Sequence, residues 1–462
     1  MAAITFNRFD LGIDLRKGAS VSDANRLREM KNAYVTTGLA TAKRPGLAKV
    51  ATLEAGTKGL FAAFGKLHTF HGDGSVTHAN TLFQSHKVQN SAGARPVADV
   101  PYADVFNAYI YAAIQYDNGT VEHHYLDGSA TTHIADTNCP DSKGVVKLAS
   151  KLFAINGDTV RYCKTGAPRD WSAVNDAGFL PTGLNSRGDR AANALGIYQN
   201  KLVVLTRDGA QIWTVDPDPT QMKMDDIVEN VGTSFPRSVA NVAGDLYFLS
   251  DYGFRSITTL QLTNNLADVD VGSPIDSLVR PEIKDASVFP RAFYFYGTGQ
   301  YMCAIGNQLF VYSISRTAKI AAWSRYFLPN AVDAFAELGQ ELYIRSGDDV
   351  FKLDPESYTD DGLQFEVLLD LPYMDFKSPG QLKRIYGADV VVDGKCEFSI
   401  GFDVRDKDAY TNPVRVKGNT RPSGMIPVEC AGTEFALRLR NYDSAGFRLD
   451  SVTLYYDVLG SM

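Results

Sequence analysis

Residues 151–162 read Lys-Leu-Phe-Ala-Ile-Asn-Gly-Asp-Thr-Val-Arg-Tyr, an apolar run, a turn and a second apolar run. Asn-Gly and Gly-Asp pairs favour tight hairpin turns, because these residues adopt positive φ at little cost. The same unit returns at residues 300–307 (Gln-Tyr-Met-Cys-Ala-Ile-Gly-Asn) and 341–348 (Glu-Leu-Tyr-Ile-Arg-Ser-Gly-Asp). A recurring strand, turn and strand predicts a series of small antiparallel sheets.

The spacing of this unit predicts the fold class. Seven anchor residues mark the repeated unit: Leu67, Tyr109, Leu152, Leu202, Leu246, Tyr301 and Leu342. Successive separations of about 41 to 55 residues are those of β-propeller blades. We therefore predict an all-β protein with a β-propeller of six or seven blades, the first two of which are degenerate. Leu152, Leu202, Leu246 and Leu342 are predicted to be core residues, and Trp171-Ser172 and Trp323-Ser324 to mark equivalent outer strands.

The pattern divides the chain into three regions. Residues 1–57 are predicted to form an N-terminal docking segment, in which Ser20 or Ser22 caps a short helix through Glu29 and residues 32–41 form a hairpin. Residues 58–354 hold the propeller. Residues 355–462 carry longer alternating runs, which predict a β-sandwich or small β-barrel. In this region Leu437 and Leu439 should face a core and Arg438 and Arg440 the solvent.

Composition limits the function classes. The 462 residues are 45% hydrophobic with 39 glycines, which is typical of an ordered, turn-rich β protein. A net charge of −7 without basic runs gives no sign of nucleic-acid binding by phosphate neutralisation. Five cysteines without close spacing indicate neither a disulfide framework nor a zinc site. No leader or membrane span is predicted, so we expect a soluble protein made in a reducing cytoplasm, without membrane insertion.

The search for catalytic chemistry yields weak candidates only. Residues 206–213 (Thr-Arg-Asp-Gly-Ala-Gln-Ile-Trp) approach a sialidase Asp box, with the glycine one place early and no second copy. The histidines of the first two blades (His68, His71, His123, His124 and His133) and the acidic turns (Asp216, Asp218, Asp225, Asp226, Asp348 and Asp349) lack the spacing of a metal site. We predict no enzyme, no catalytic or metal-binding residue and no cofactor. Four aromatic residues, Trp213, Tyr252, Tyr296 and Tyr326, are candidates for a glycan surface.

Three pieces of the N-terminal region carry a family resemblance. They are residues 12–15 (Gly-Ile-Asp-Leu), 25–38 (Asn-Arg-Leu-Arg-Glu-Met-Lys-Asn-Ala-Tyr-Val-Thr-Thr-Gly) and 42–46 (Ala-Lys-Arg-Pro-Gly). This opening resembles that of the tail nozzle proteins of short-tailed bacteriophages (podoviruses), a family that includes tubular tail protein B and the packaged-DNA stabilisation proteins. Residues 235–238, 244–256 and 386–402 resemble the same family.

The resemblance implies a structural virion protein. Such proteins form a sixfold ring, here a homo-hexamer, docked below the tail adaptor ring of the portal vertex, with tail fibres or spikes as further candidate partners. The ring forms a channel that retains packaged double-stranded DNA and conducts it at ejection. The implied location is the virion tail, after synthesis in the host cytoplasm. A net charge of −7 is compatible with this role, because acidic walls do not hold phosphates.

Two questions stay open at this point. The corner Lys43, Arg44, Pro45 and Gly46 is a candidate organiser of the docking region, with a purely intramolecular corner as the alternative. If it docks, Arg44→Glu should reduce assembly and leave the monomer folded. The alternative function is a carbohydrate-binding or glycan-hydrolysing β-propeller, and a third is a cellular interaction scaffold.

Overall fold

The structure is a computed structural model. It describes residues 2–19, 23–72, 74–76, 78, 80–127, 131–186, 188, 191–262, 270–284, 289–406, 408–421 and 424–461. The two predicted helix caps, Ser20 and Ser22, lie outside the described residues.

Strands make up most of the described chain. In chain order they are β1 Ala2–Phe6, β2 Glu29–Lys31, β3 Ala33–Val35, β4 Thr41–Lys43, β5 Gly46–Thr52, β6 Lys58–Ala63, β7 Lys66–His71, β8 Phe83–Lys87, β9 Val97–Phe106, β10 Tyr109–Tyr116, β11 Val121–Leu126, β12 Thr131–His133, β13 Val145–Leu148, β14 Lys151–Asn156, β15 Thr159–Tyr162, β16 Gly178–Leu180, β17 Ala194–Tyr198, β18 Lys201–Leu205, β19 Gly209–Thr214, β20 Lys223–Glu229, β21 Ala240–Val242, β22 Asp245–Ser250, β23 Gly253–Ser256, β24 Arg291–Phe295, β25 Gln300–Ile305, β26 Gln308–Ser315, β27 Ile320–Phe327, β28 Ala334–Leu338, β29 Glu341–Ser346, β30 Asp349–Asp354, β31 Val367–Asp370, β32 Gln381–Asp393, β33 Cys396–Gly401, β34 Val414–Val416, β35 Cys430–Gly432, β36 Ala436–Asn441 and β37 Arg448–Ser461. Two short α-helices, α1 Ile257–Leu262 and α2 Asp276–Glu282, follow β23. Single 3₁₀ turns cover Ala173–Asn175, Thr182–Asn185, Pro219–Gln221, Pro236–Ser238 and Ser273–Ile275.

The chain divides into two compact units. The blade unit comprises Val50–Tyr294 and Val332–Lys352, and the sandwich unit comprises Met1–Lys49, Phe295–Ala331 and Leu353–Met462. The boundaries predicted near residues 57 and 354 stay a prediction.

The blade unit consists of small sheets in chain order. They are β6–β8, β9–β12, β13–β16, β17–β20, β21–β23 and β28–β30. Pairing is antiparallel between successive strands, except that β7 and β8 run parallel. This exception lies in the blade that the sequence marks as degenerate. In the sandwich unit, β25–β27 repeat the same up-and-down order. The all-β, β-propeller prediction is confirmed, with six blade sheets described in the blade unit and this seventh run.

Six of the seven sequence markers lie in the second strand of a blade-unit sheet, and Tyr301 lies in β25. Six are fully buried: Leu67, Leu152, Leu202, Leu246, Tyr301 and Leu342. The four leucines predicted as core residues are among them, so that prediction is confirmed. Tyr109 is wrong by one position, because its side chain is 42% exposed whereas Ile110 is 3% exposed. The prediction that Trp171 and Trp323 mark equivalent outer strands is also partly wrong, because Trp323 lies in β27 but Trp171 lies outside any strand.

Neighbouring sheets of the blade unit share apolar clusters. Phe70 packs with Ile110 between the first two sheets, and Leu152 packs with Tyr111 between the next two. The series also closes on itself. Arg345 of β29 is 1% exposed and donates to the carbonyl oxygens of Gly59 (2.8 Å) and Thr57 (2.5 Å), at the start of the first sheet. A link between the last and first sheets is what a propeller requires.

The sandwich unit contains two sheets. One has the order β3-β4-β37-β32-β35 with β1 also on β37, and the other runs β25-β26-β27-β2-β31-β36-β33-β34. Two separate sheets correspond to the sandwich alternative and not to a closed barrel. Both bury alternate side chains, as β36 illustrates: Leu437 and Leu439 are buried, whereas Arg438 and Arg440 are partly exposed, as predicted.

The N-terminal region differs in part from its prediction. The hairpin is confirmed, because β3 and β4 pair antiparallel through Ala33 and Lys43. The helix through Glu29 is wrong. Glu29 and Met30 instead enter β2, where they pair with Asp370 and Leu369 of β31. Strand partners from the distant C-terminal region therefore outweigh the local helical preference of this segment.

Candidate functional site

Arg44 is the centre of the predicted corner. Its side chain has no exposed surface, and its two terminal nitrogens contact the two carboxylate oxygens of Asp360 at 2.8 and 2.5 Å. It also donates to the carbonyl oxygens of Pro45 (3.0 Å) and Phe327 (3.1 Å). The ring of Phe365 lies 3.8 Å from the guanidinium carbon, which adds a cation–π contact. The planar guanidinium is thus occupied on its edges and on one face.

Asn32, which belongs to the second matched piece (residues 25–38), contacts this corner. It has a positive φ of 53° and is 1% exposed. Its side-chain oxygen accepts from Nε of Arg44 (3.1 Å) and from the backbone N–H of Phe327 (2.8 Å), and its amide donates to the carbonyl of Glu366 (2.7 Å). Asparagine tolerates the left-handed region better than most residues. One side chain therefore connects three segments that are far apart in sequence.

The first matched piece packs on the same sheet. Gly12 has φ 57°, and a Cβ atom there would clash with the carbonyl oxygen of Trp323. Ile13 donates its N–H to that carbonyl at 2.9 Å. Asp14 is buried and pairs with Arg16 (2.8 Å) and Arg26, whose charges lower its pKa although burial alone would raise it. Only glycine fits the close approach at position 12.

Lys43 and Gly46 complete an internal corner. Lys43 is 1% exposed and donates to the carbonyl of Asp443 (2.5 Å) and to Oδ1 of Asn441 (3.3 Å). Burial, aided by the charge of Arg44, lowers the pKa of Lys43 to about 8. A side chain at Gly46 would clash with the carbonyl of Thr359.

This burial shows what the corner does inside the chain. The side chains of Lys43 and Arg44 are 1% and 0% exposed, so their contacts in the folded chain are internal. Whether the corner shapes a neighbouring docking surface stays a prediction. The expectation that Arg44→Glu leaves the monomer folded is also replaced, because this change would place a carboxylate against Asp360 without solvent.

The blade unit has its own partly buried ion cluster. Arg237 donates to Asp99 of β9 at 2.5 Å and to the carbonyl of Val100 at 3.0 Å. Arg291 lies 3.7 Å from the other oxygen of Asp99 and donates to the carbonyl of Asp333. Burial raises the pKa of Asp99, but the charges of Arg237 and Arg291 outweigh it and lower that pKa. Arg237 directly precedes the sheet β21–β23, whereas Asp99 lies in the sheet β9–β12. The ion pair between Arg237 and Asp99 therefore connects two sheets that are not adjacent in chain order.

The candidate histidines form hydrogen bonds with other side chains of their own sheets. Nδ1 of His68 lies 2.8 Å from Nε2 of His86, and His123 and His124 bond the hydroxyls of Tyr111 (2.6 Å) and Tyr116 (2.8 Å). Burial lowers the pKa of His86 and His123 to about 4 and that of His124 to about 3. In the described part of the chain no three His, Cys, Asp or Glu side chains are placed to share a metal ion.

The carboxylates of the acidic turns form hydrogen bonds and ion pairs with nearby residues. Asp218 accepts from the N–H of Thr220 at 2.9 Å, and Asp225 pairs with Lys201 at 2.9 Å. Of the four candidate aromatic residues, Trp213 is 5% and Tyr326 1% exposed, so both are wrong as surface residues. Tyr252 and Tyr296 are exposed, by 60% and 69%.

A polar cavity of about 750 Å³ lies in the blade unit at the turns between second and third strands. Its described lining comprises Ser186, Gly188, Thr206, Arg207, Asp208, Gly209, Ala210, Gln211, Ile227, Val228, Glu229, Asn230, Gly232, Ser250, Asp251 and Tyr252. The segment resembling an Asp box and the exposed Tyr252 therefore meet at one cavity, although they are about 40 positions apart in the chain. Arg207 and Asp251 form an ion pair at 3.5 Å within it.

Sequence reasoning missed Asp360 and Asp99. It placed Asn32 in a hairpin but did not predict its contacts with Arg44, Phe327 and Glu366. Asp360 lies 316 positions from Arg44, and Asp99 lies 138 positions from Arg237. The only local signal was Asn32 itself, since asparagine at the start of a hairpin often marks a left-handed residue.

Comparisons with known proteins give likenesses of shape alone. No protein-family model matches the chain, and no curated protein does. Among solved structures it is similar to BamB from Moraxella catarrhalis (13% identity, TM-score 0.36, covering 77% of this chain and 96% of that one). It is also similar to the WD40 β-propeller domain of Doa1 (10%, 0.36, 75% and 96%) and to the computationally designed Ika8 protein (11%, 0.41, 75% and 99%). At TM-scores this low we draw no conclusion from them. The helices of the described residues are all too short or too polar to cross a membrane.

Proposed function

We propose that this protein is a structural component of a bacteriophage tail, a nozzle subunit that assembles as a homo-hexameric ring below the portal adaptor. The ring retains packaged double-stranded DNA and conducts it at ejection. One observation carries the proposal: two of the three N-terminal pieces that resemble the nozzle family, residues 25–38 and 42–46, meet at a single buried joint in the sandwich unit, and the third, residues 12–15, packs on the second piece through Ile13 and Leu27. Asn32 and Arg44 belong to these pieces, and Asp360 closes the joint.

The geometry of the matched pieces supports the proposal, because each of three matched residues meets a requirement that its residue type satisfies. Gly12 allows close backbone packing, Asn32 supplies a left-handed turn with three side-chain bonds, and Arg44 fills a fully buried site. Each type is chosen by geometry that few other residues satisfy. A matched motif that forms one connected structure supports common architecture more strongly than matched letters at scattered surface positions.

Charge is consistent with passage of DNA. The chain has a net charge of −7, so a ring of six copies carries a negative field. A basic lumen would bind the phosphate backbone through counterion release and slow its exit, whereas an acidic wall leaves the duplex free to slide.

The test is quantitative mass spectrometry of purified virus particles from the source culture. The proposal expects this chain at about half the copy number of the portal protein, as for a sixfold ring on a twelvefold vertex. Particles that lack the chain would overturn the proposal. Equal copy number with the portal would overturn the hexamer. Particles stripped of tails provide the control, because the chain should disappear with the tail.

A further inference from the structure

We propose that the outer edge of the sheet β13–β16 is a contact between two copies of this chain, in which strand β16 (Gly178–Leu180) pairs antiparallel with β16 of a second copy. The edge belongs to the blade unit. This inference goes beyond the tail role and does not depend on it, because a sixfold ring is built from head-to-tail contacts whereas the contact proposed here is two-fold.

Apolar side chains are exposed in β16 and in the turns on both sides of it. Phe179, in the middle of the strand, is 59% exposed, and Val174 and Leu184 in the flanking 3₁₀ turns are 88% and 83% exposed. Among the described residues of the blade unit, three of the seven exposed large hydrophobic side chains thus lie within eleven positions. Such a concentration marks an interaction surface, whereas singly scattered residues do not.

β16 lacks the charges that other outer strands of the blade unit carry. β8 ends in Lys87, β12 contains His133, and β20 (Lys223–Glu229) contains a lysine, two aspartates and a glutamate. β16 reads Gly-Phe-Leu and is the last strand in the order β13-β14-β15-β16. Charges on an edge strand discourage pairing with another chain, so β16 is the edge that is open to such pairing.

The outward backbone groups of β16 are those of Phe179. Cys163, the residue after β15, donates its N–H to the carbonyl of Leu152 in β14 at 3.1 Å. Because successive residues of a strand bond opposite neighbours, Tyr162 bonds in the other direction, to its partner Gly178 in β16. The next residue of β16, Phe179, therefore turns its N–H and C=O away from β15.

The symmetry of the segment about Phe179 identifies the occupant as a second copy. Val174 and Leu184 lie five positions before and five positions after Phe179. An antiparallel partner runs in the opposite direction, so Val174 of each copy lies on the side of Leu184 of the other when the two Phe179 residues face each other. A two-fold contact requires this self-complementarity. The facing Phe179 residues exchange two backbone hydrogen bonds and form a cross-strand aromatic pair.

The charge of the segment does not oppose the contact. Asp176 is the only ionisable residue in residues 171–186. Its carboxylate contacts the ammonium of Lys151 at 2.5 Å, and Lys151 has no exposed surface. Lys151 also donates to the carbonyl of Asp176 at 2.9 Å, which fixes the turn that carries Val174. Two copies of this segment therefore meet without unpaired like charges, which destabilise directly opposed strands.

The turn on the other side of β16 is equally well fixed. The carbonyl of Asp158 accepts from the N–H of Gly183 at 2.6 Å and from the hydroxyl of Thr182 at 2.8 Å. A Cβ atom at Gly183 would clash with the side chain of Asp158, so the turn packs closely on the β14–β15 hairpin. Leu184 is thus held in position in the single chain, and the contact needs little ordering when it forms.

The size of the contact sets its expected strength. Each copy contributes one three-residue strand edge and three apolar side chains, which is at or below the total of about 1,200 Å² at which stable interfaces begin. We therefore expect a weak dimer in equilibrium with the monomer, with a Kd on the order of 10 μM.

The experiment is sedimentation velocity on the full chain at concentrations from about 1 to about 200 μM. Phe179→Lys and Phe179→Asp should each weaken self-association by about tenfold or more, because each places two like charges opposite one another at the two-fold axis. An equal mixture of these two variants should form a heterodimer, since the opposed charges then differ in sign. Phe64→Lys is the matched control, because Phe64 is the same residue type, is 60% exposed and lies in the same unit.

Four results would overturn the proposal. They are no self-association at about 200 μM, equal association of the wild type and the Phe179→Lys variant, an equal loss in the Phe64→Lys variant, or no heterodimer in the mixture. Thermal unfolding at about 1 μM, where the wild type is monomeric, verifies that each variant is folded. Leu184→Lys repeats the test at a second exposed position and should also weaken the dimer. Particle composition is not measured by this experiment, so failure of the contact and failure of the tail role are separate outcomes.

Discussion

Replacing Asp360 by Asn should destabilise the sandwich unit severely, because Arg44 would then hold a buried charge without its counterion. The Arg44 side chain has no exposed surface, and Asp360 contacts both of its terminal nitrogens, at 2.8 and 2.5 Å. The asparagine amide keeps one acceptor and turns an N–H₂ donor toward the guanidinium. Hydrogen bonds between charged groups contribute about 1.5–3 kcal/mol each. The loss of a buried partner therefore predicts about 3–5 kcal/mol of lost unfolding free energy.

Urea unfolding followed by fluorescence is the assay. Trp323 is 1% exposed in the same unit and reports on it. With a slope of about 3 kcal/mol per molar urea, the expected loss lowers the unfolding midpoint by about 1–1.7 M. The double variant Arg44→Met/Asp360→Leu should recover much of this loss, since it removes both charges and their desolvation cost.

The matched control is Asp450→Asn. Asp450 pairs with Arg448 at 2.7 Å in the same unit, but the two side chains are 37% and 56% exposed. Exposed pairs contribute about 0–1 kcal/mol, so this midpoint should hardly move. If Asp360→Asn shifts the midpoint no more than Asp450→Asn does, the corner is not the joint that we describe.

Three other variants or conditions test the blade sheets and the N-terminal piece. Burial lowers the pKa of His124 to about 3, so unfolded chains take up its proton first and His124 should contribute a loss of about 1.4 kcal/mol per pH unit between about pH 6.5 and 3, to which His86 and His123 add down to about pH 4; urea midpoints across this range measure the total. Leu246→Ala should cost about 2–5 kcal/mol, whereas Tyr109→Ala, at an exposed position, should cost under about 1 kcal/mol; thermal unfolding compares them. Gly12→Ala should lower the urea midpoint more than Gly244→Ala, because both have positive φ but only Gly12 faces a backbone clash; equal effects would contradict that geometry.

The sequence predicted the repeat well because a blade is a local object. Strand, turn and strand lie within about 15 residues of each other, and alternation places Leu152 and Leu202 in the core without knowledge of distant contacts. Tyr109 shows the limit of this reasoning: near a turn, a one-residue shift exchanges the buried and exposed faces, and Ile110 is the buried residue. The period alone could not correct this.

The misses share a different cause. The segment through Glu29 was predicted to be a helix because only its local sequence could be judged. Its strand partners, Asp370 and the rest of β31, lie more than 300 positions away. The same distance hid the pairing of Arg44 with Asp360. No periodic signal marks such contacts, since each residue appears once and in an ordinary local context. The cavity was missed for a similar reason. Its turns at residues 206–209 and 250–253 are equivalent in structure, but only their hydroxyl and glycine residues match in sequence.

Buried cations occur where the chain joins sheets that apolar packing alone would not distinguish. Repeated sheets present similar faces of leucine, valine and tyrosine, so many neighbours would pack almost equally well. A buried guanidinium is less tolerant, because its donors must all find acceptors in one geometry. Arg345 meets this condition with Thr57 and Gly59 at the first sheet and with Gly347 in its own turn, and Arg44 meets it with Asp360, Asn32, Pro45 and Phe327. A wrong pairing of sheets would leave the charge unpaired at a cost of about 3–5 kcal/mol, which exceeds the difference between similar apolar contacts. We therefore expect the buried arginines to contribute chiefly to the choice of sheet partners, and the leucines to the stability of each sheet.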